Sequence, residues 1–476
     1  MKRVLRVGII FVICFFALIY TVSFFVEAAP PSPTLLEAIS KGEIPTPYYL
    51  SPEFQKGLRE RGVDKPDEIY DFSPSSQDKS LNLSKPFNIL VVLVEFSDKT
   101  HEVQPAFFTS SVFNGSIGAN SVKNFYFENS YGLLNITTVN LPSSMGWKMA
   151  PKNYSYYVNG QSGQGVYPQN TQGLTENVVD MIDPLVNFSK YDNDGDGDVD
   201  GLAIVHAGPG AEFSGSDDDI WSHKWSINPR LKDGVIVSSY FTTPEYWFAP
   251  GDLTIGVFAH ELGHALGLPD LYDTDFSSNG VGRWSLMSYG SWNGPYPGGS
   301  SPSHLDAWSK YTLGFVNPQT PPLGSTLVTL PPIETDKTAV YKLWTLNNAG
   351  SQYFLIENRQ KILYDSYLYG PGLLIWHIDE AKGGNTQEWY PGLNSAAHYK
   401  VALEQADGLW ELEHDLSQGD QDDPYPGNPF NVSTHNRYFN FISVPNSNAY
   451  SGVDSLVRVE NITKIGTDVS NISVCL

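Results

Sequence analysis

Two of the chain's ten histidines stand four residues apart in Phe258-Ala-His260-Glu261-Leu-Gly-His264-Ala-Leu-Gly267-Leu-Pro-Asp270. On a helix that spacing projects both imidazoles from one face, where they can chelate a single cation. Glu261 adjoins the first of them, in position to hold a metal-bound water without being a ligand itself. Neutral imidazoles suit zinc, which brings the pKa of bound water toward about 7 and polarises a carbonyl. A glycine at 267 ends the helix in a left-handed turn and sends the chain back. That return brings Asp270 to the same ion as a third ligand; in the alternative arrangement Asp270 braces a histidine and another residue completes the site. Three protein ligands plus water form an open, catalytic zinc centre. A surface helix with incidental histidines is the competing explanation. Chance supplies H-E-x-x-H in on the order of one such chain in a hundred, and the later Gly and Asp lower that by roughly two orders of magnitude.

A second cluster is acidic. Asp192-Asn-Asp194-Gly-Asp196-Gly197-Asp198-Val-Asp200-Gly201 alternates carboxylates and has glycine at its sixth position, matching the first half of an EF-hand-type calcium loop. The match stops at position twelve, where Ala203 stands in place of a bidentate glutamate. An apolar strand follows instead of a helix. We therefore expect a structural calcium site at Asp192, Asp194, Asp196, Asp198 and Asp200, closed by a ligand from elsewhere such as Glu212 or Asp219. Five acids within nine residues repel unless a cation is present. The looser stretch Asp415, Asp420, Asp422 and Asp423 lacks such spacing and reads as a surface loop. His206 and His223 read as packed structural histidines.

These residues need elements to position them. The helix near Thr254 to Leu266 is the strongest helical pattern in the chain, with weaker ones at Ser121–Asn129, Gly173–Ile182 and Pro52–Gly62. Asn88–Phe96 and Gly201–His206 read as fully buried strands. Beyond about Val316, short apolar runs at 326–330, 339–344, 353–357, 373–378 and 399–404 alternate with turn residues and predict a mostly antiparallel β region. The expected organisation is a signal peptide over residues 1–28, a pro-segment or linker at 29–85, a catalytic domain at 86–316 and a β-rich region at 317–476. Lys2, Arg3 and Arg6 precede an uncharged apolar stretch from Val7 to Val26. A cut after Ala28 makes this a secretory signal; retention makes it an anchor just long enough to span a bilayer. Either way the bulk lies outside the cytoplasm. Sequons begin at Asn82, Asn114, Asn135, Asn153, Asn187, Asn431, Asn461 and Asn471, in keeping with export.

Met287 follows Asp270 by seventeen residues in Trp284-Ser-Leu-Met287-Ser-Tyr289. H-E-x-x-H-x-x-G-x-x-Asp followed by S-x-M-x-Y resembles the metzincin clan of zinc endopeptidases. The aspartate in place of the commoner third histidine makes it similar to the M6 peptidases, the immune inhibitor A-like family. Val91–Asp98, Asn129–Gly132, Ile204–Gly208, Ile220–Trp225 and Gly372–Asp379 agree, so the likeness extends over roughly residues 88–440. It implies an α+β fold: a metzincin-like catalytic domain with a mixed sheet and an active-site helix, then a β-rich, sandwich-like region. It also implies that Met287 forms a turn beneath the metal and that Tyr289 assists the developing oxyanion.

Composition bounds the rest. The 476 residues carry a formal charge of −23, with 52 acidic against 29 basic side chains, which disfavours nucleic acid as a partner. The two cysteines, Cys14 and Cys475, cannot build a disulfide framework, so durability outside the cell falls to other devices, bound metal among them. The expected protein is a secreted zinc endopeptidase, a monomer acting on protein or peptide substrates, with Zn2+ catalytic and Ca2+ structural. Membrane contact is expected only if the N-terminal segment is retained. A catalytically inactive binding or adhesion protein on the same scaffold is the alternative, and a zinc hydrolase of another substrate a third. With no cysteine in the pro-segment, a thiolate cannot hold the enzyme latent; Asp64, Asp67 and Glu68 are candidates for that task.

Overall fold

The computed structural model describes residues 28–63, 65–73, 86–114, 120–347, 350–427, 435–465 and 468–475. The expected signal or anchor, with Cys14, and Asp64, Asn82 and Asn431 lie outside these residues. No helix among the described residues is long and apolar enough to cross a membrane.

The N-terminal segment is no loose linker. Helix α1 (Pro33–Ser40) starts at a proline and is capped by Ser32, whose Oγ accepts from Leu35 N at 3.1 Å. Helix α2 (Pro52–Arg61) follows. Between and around them Leu35, Tyr49, Phe54, Leu58 and Val63 are buried in a hydrophobic cluster shared with the central sheet, and Tyr70 and Phe72 join another. Polar and proline-rich composition conceals this, because the anchoring residues are few and widely spaced.

The central sheet is built from β1 (Leu90–Glu95), β2 (Lys148–Met149), β3 (Leu202–Pro209), β4 (His223–Lys232) and β5 (Val235–Tyr246), in the order β2-β1-β3-β5-β4. All neighbours are parallel except β4, an antiparallel edge strand paired to β5. The apolar runs lack alternation because both faces are covered. Val91, Leu93, Ala203, Val205 and Phe241 face one cluster, whereas Leu90, Val92, Val94, Leu202, Ile204 and Tyr240 face another. Helix α3 (Val122–Asn129) packs with the first cluster and α4 (Thr171–Ile182) with the second. Helix α5 (Gly256–Ala265), the predicted histidine helix, lies on the first face, where Phe258 meets Phe241 and Phe113 edge-on at 5.0 and 4.5 Å.

After a short helix α6 (Ala307–Thr312), two antiparallel sheets form the C-terminal part. One contains β7 (Val340–Trp344), β8 (Gln352–Arg359), β9 (Gly372–Asp379) and β10 (Val401–Leu403); the other pairs β6 (Ser325–Leu330) with strands within residues 438–475. Phe354, Ile356, Leu373 and Ile375 pack against Val328, Leu330, Val457 and Val459 of the second sheet. The opposite faces of β8 and β9, through Leu355, Leu374 and Trp376, enter the cluster that holds Phe258 and Leu262 of α5. The histidine helix and the C-terminal sheet thus share one hydrophobic cluster.

Candidate active site

Helix α5 carries both histidines fully buried. His260 Nδ1 lies 2.9 Å from Leu286 O and His264 Nδ1 lies 2.8 Å from Leu268 O. A carbonyl can only accept, so each Nδ1 carries the ring proton and each Nε2 presents a bare lone pair. Those two Nε2 atoms are 3.2 Å apart, and Asp270 brings Oδ1 to 2.8 Å from one and Oδ2 to 3.4 Å from the other. Ligands about 2.0–2.2 Å from a tetrahedral zinc ion are about 3.3–3.6 Å apart, so the spacing and the two-nitrogen, one-carboxylate donor set fit that ion. Three converging lone-pair groups with no exposure to water would repel one another without a shared cation.

Gly267, at φ +95°, makes the predicted turn that returns Asp270 to the histidines. The same position admits the N-terminal segment: a Cβ there would meet Ile69 Cα at 2.6 Å and Glu68 O at 2.8 Å. Glu261 is buried on the same helix. Met287 lies directly under α5, its Sδ 2.4 Å from where a Gly263 Cβ would be. Gly263→Ala should therefore destabilise the fold, the overpacking cost of about 1–3 kcal/mol outweighing the helix-propensity gain of about 1 kcal/mol. Thermal melts of Gly263→Ala, Met287→Ala and the double variant check it: the two changes should couple, and strict additivity would exclude the contact.

Tyr289 is buried two residues beyond Met287, its phenol pushed well above the usual range by desolvation. Its ring centre is 5.8 Å from that of Tyr272, which in turn lies 6.4 Å from His260. Tyr272 had no assigned role in the sequence. Its only signal was position, two residues past Asp270. Its hydroxyl donates to Ala28 O.

That contact belongs to a buried run over residues 28–32. Ala29 N donates to Ser222 O at 3.1 Å at the foot of β4, Trp221 Nε1 to Ala29 O at 2.8 Å, and Trp292 Nε1 to Pro30 O at 2.8 Å. Farther along, Asp67 N donates to His264 O at 3.1 Å and Tyr70 N to Leu266 O at 3.0 Å, satisfying carbonyls at the helix end. Two of the segment's carboxylates are engaged elsewhere. Asp67 pairs with Lys224 and accepts from Ser239 Oγ at 3.1 Å, and Glu68 lines a cavity of about 280 Å³ with Asp194, Asp196, Asp198 and Asp200. Backbone amides of Asp67 and Tyr70 meet the end of the histidine helix.

In the acidic loop Asp192, Asp194 and Asp200 converge, one oxygen of each within 4.8 Å of the others. Asp196 and Asp198 stand outside that trio; Asp198 accepts from Ser238 Oγ at 3.3 Å. Gly195 and Gly197, at φ +85° and +95°, let the loop turn inward, and their amides donate to Asp192 at 2.7 and 3.2 Å. Burial and the neighbouring acids push Asp200 up to about 8. Neither suggested closing ligand belongs to that converging group: Glu212 accepts from Ser222 N at 3.2 Å, and Asp219 pairs with Lys99 at 2.9 Å. His206 and His223 are structural, their imidazoles pushed down to about 3 and about 4 by burial.

The catalytic-domain model of the immune inhibitor A peptidase M6 family matches residues 99–315. Those residues are similar to an M6 peptidase catalytic domain. Within the matched residues fall α5, Asp270, Met287, Tyr289 and the acidic loop. The chain is similar to the pre-pro-metalloprotease PrtV of Vibrio cholerae serotype O1 (strain M66-2), at 32% identity over 239 residues, 44% of this chain and 25% of that protein. It is also similar to immune inhibitor A of Bacillus thuringiensis subsp. alesti, at 30% identity over 298 residues, 51% of this chain and 42% of that one. The chain thus spans a quarter to about two fifths of the length of these relatives.

Proposed function

We propose that the chain is a secreted, zinc-dependent endopeptidase acting on protein or peptide substrates, with His260, His264 and Asp270 as metal ligands and Glu261 as general base. The observation that carries this reading is the convergence of two bare Nε2 atoms and a carboxylate beside a buried glutamate, inside a region matching a peptidase family. Zinc held there would polarise the scissile carbonyl and lower the pKa of water. Glu261 takes the proton of the attacking water and hands it to the departing amine. Tyr289 donates to the oxyanion, and Met287 supports the helix from below.

Residues 29–85 act as a pro-segment. Its stretch from Ala29 to Ser32 lies buried against Trp221 and Trp292, and the four residues from His260 to Asp270 assigned to catalysis are 0% exposed, which is the state of a covered site. N-terminal sequencing of the secreted, active form should therefore start near residue 86. The zinc-loaded form should cut internal bonds of an unstructured protein, read by mass spectrometry of the products. Release of single terminal residues, or no cleavage from a zinc-replete preparation, would refute the endopeptidase reading.

Calcium at Asp192, Asp194 and Asp200 braces the loop leading into β3. At calcium 100-fold above its Kd the site stabilises the fold by about 2.7 kcal/mol. Chelation that spares zinc should lower the melting temperature accordingly. A melting curve indifferent to calcium in wild type would remove this site from the reading.

A further inference from the structure

The stretch from Asp415 to Asp423, read from sequence as a surface loop, turns out to be partly interior: Asp423 is 1% exposed. Asp407 and Glu411, from the turn before it, fold onto Asp420, and one carboxylate oxygen of each lies within 4.8 Å of the others. Asp423 sits behind this group. Its Oδ2 accepts from Trp284 Nε1 and from Asp420 N, both at 2.9 Å, while its Oδ1 is buried with no hydrogen-bond donor among the described residues. Asp407 Oδ2 and Glu411 Oε2 are buried in the same condition. No lysine or arginine occurs from 401 to 436, whereas eight carboxylates do. Of those eight, Glu404 has a basic partner, His377 at 3.1 Å; no ion pair among the described residues reaches Asp407, Glu411, Asp420 or Asp423. Burial, then Asp407 and Asp420, push Glu411 up to about 7, and burial drives Asp423 well above the carboxylate range.

Converging, desolvated carboxylate oxygens that lack donors are costly by themselves and favourable around a hard cation. We propose that Asp407, Glu411 and Asp420 bind a calcium ion, with Asp423 as the buried carboxylate behind them, at a site separate from the Asp192–Asp200 loop. An all-oxygen set with neither histidine nor cysteine selects against zinc. The ion's task is mechanical. The same loop holds the strap that leads into Met287: Asn279 N donates to Leu412 O at 2.9 Å, Arg283 N to Gln418 O at 2.9 Å, and Trp284 to Asp423. Neutralising the carboxylates fixes that loop, and through it the carbonyl of Leu286 that orients His260.

The test is calcium binding by equilibrium dialysis on the full chain, comparing wild type, Asp407→Asn/Glu411→Gln, and Asp194→Asn in the other loop. The double variant should bind one calcium fewer than wild type, or bind it at least tenfold more weakly, and Asp194→Asn should leave that ion in place. Hydrogen exchange across residues 405–423 should slow at least tenfold on adding calcium in wild type and in Asp194→Asn, but not in the double variant. Should the double variant fail to fold, Asp420→Asn is measured in its place. In chelator the amide variant should melt at or above wild type, because repulsion is relieved, and the order should reverse in calcium. Unchanged stoichiometry and affinity in the folded variant, or exchange of this loop indifferent to calcium in wild type, overturns the proposal. Neither outcome depends on peptidase activity, so this site and the catalytic reading fail separately.

Discussion

Replacing Glu261 with glutamine should lower kcat/KM by about 10³–10⁴-fold while zinc stays near one per chain. General acid–base catalysis contributes about 10²–10⁴-fold, and here one group serves both halves of the proton transfer, so the upper part of that range is expected. A loss of 10⁴ corresponds to about 5.5 kcal/mol of transition-state stabilisation. The amide keeps the shape of the side chain, and Glu261 is fully buried within α5, so the helix has no steric cause to rearrange. His260 and His264 keep their ring tautomers through Leu286 O and Leu268 O, and Asp270 lies against both Nε2 atoms. Metal affinity and catalysis should therefore separate in this variant. Both are read on one preparation with the pro-segment removed, zinc by atomic absorption and cleavage with an unstructured protein. Retained proteolysis would take the base away from Glu261; loss of zinc together with activity would make Glu261 a prop of the ligands.

Which parts of this site the sequence could announce follows from how far along the chain its partners lie. His260, Glu261, His264, Gly267 and Asp270 fall within eleven residues, so helical periodicity and a left-handed glycine suffice to bring them together. Strands β1 and β3 were legible too, because continuous apolar runs need no partner to be recognised, whereas β2, β4 and β5 carry no such run and were not expected. The Asp192–Asp200 loop was half legible. Alternate acids predict inward-turned oxygens, but which three converge depends on Gly195 and Gly197 and on where β3 begins. Its wall from Glu68 comes from more than a hundred residues away, and spacing carries no information at that range. Tyr272 and the buried run at 28–32 escaped notice for the same reason: each acquires meaning only from the other, across 244 residues. The irregular spacing of Asp407, Glu411 and Asp420 concealed a convergence that a turn creates.

Arg359→Met should cost about 3–5 kcal/mol, the largest stability loss expected of any single substitution considered for this chain. Removing one partner of a buried ion pair leaves the other charge desolvated, and here several are left. Arg359 is 0% exposed and forms a bidentate pair with Asp365, Nε and Nη2 each donating at 2.7 Å. Nη1 also lies 3.4 Å from Glu357 and donates to Trp284 O at 3.3 Å, so the residue ties β8 to the strap leading into Met287. Lys310 is the other buried cation nearby, and burial depresses its own pKa, so it is a poor substitute. The pH dependence has a definite sign. Despite its burial, Asp365 is held down to about 2, chiefly by Arg359, so in wild type its contribution is complete above the unfolded value near 3.8 and is lost only toward pH 2. Without Arg359 the carboxyl titrates above its unfolded value, and a raised acid loses stability as pH rises. Glu334 already behaves that way, pushed up to about 9 by burial. The gap between wild type and Arg359→Met should therefore be wider at pH 8 than at pH 5, read from urea unfolding midpoints with both proteins at equal calcium. Arg359→Lys should recover only part of the loss, since an ammonium cannot reproduce the two-point fork on Asp365. A gap that is constant with pH would mean that packing, and not the stranded carboxylates, sets the cost.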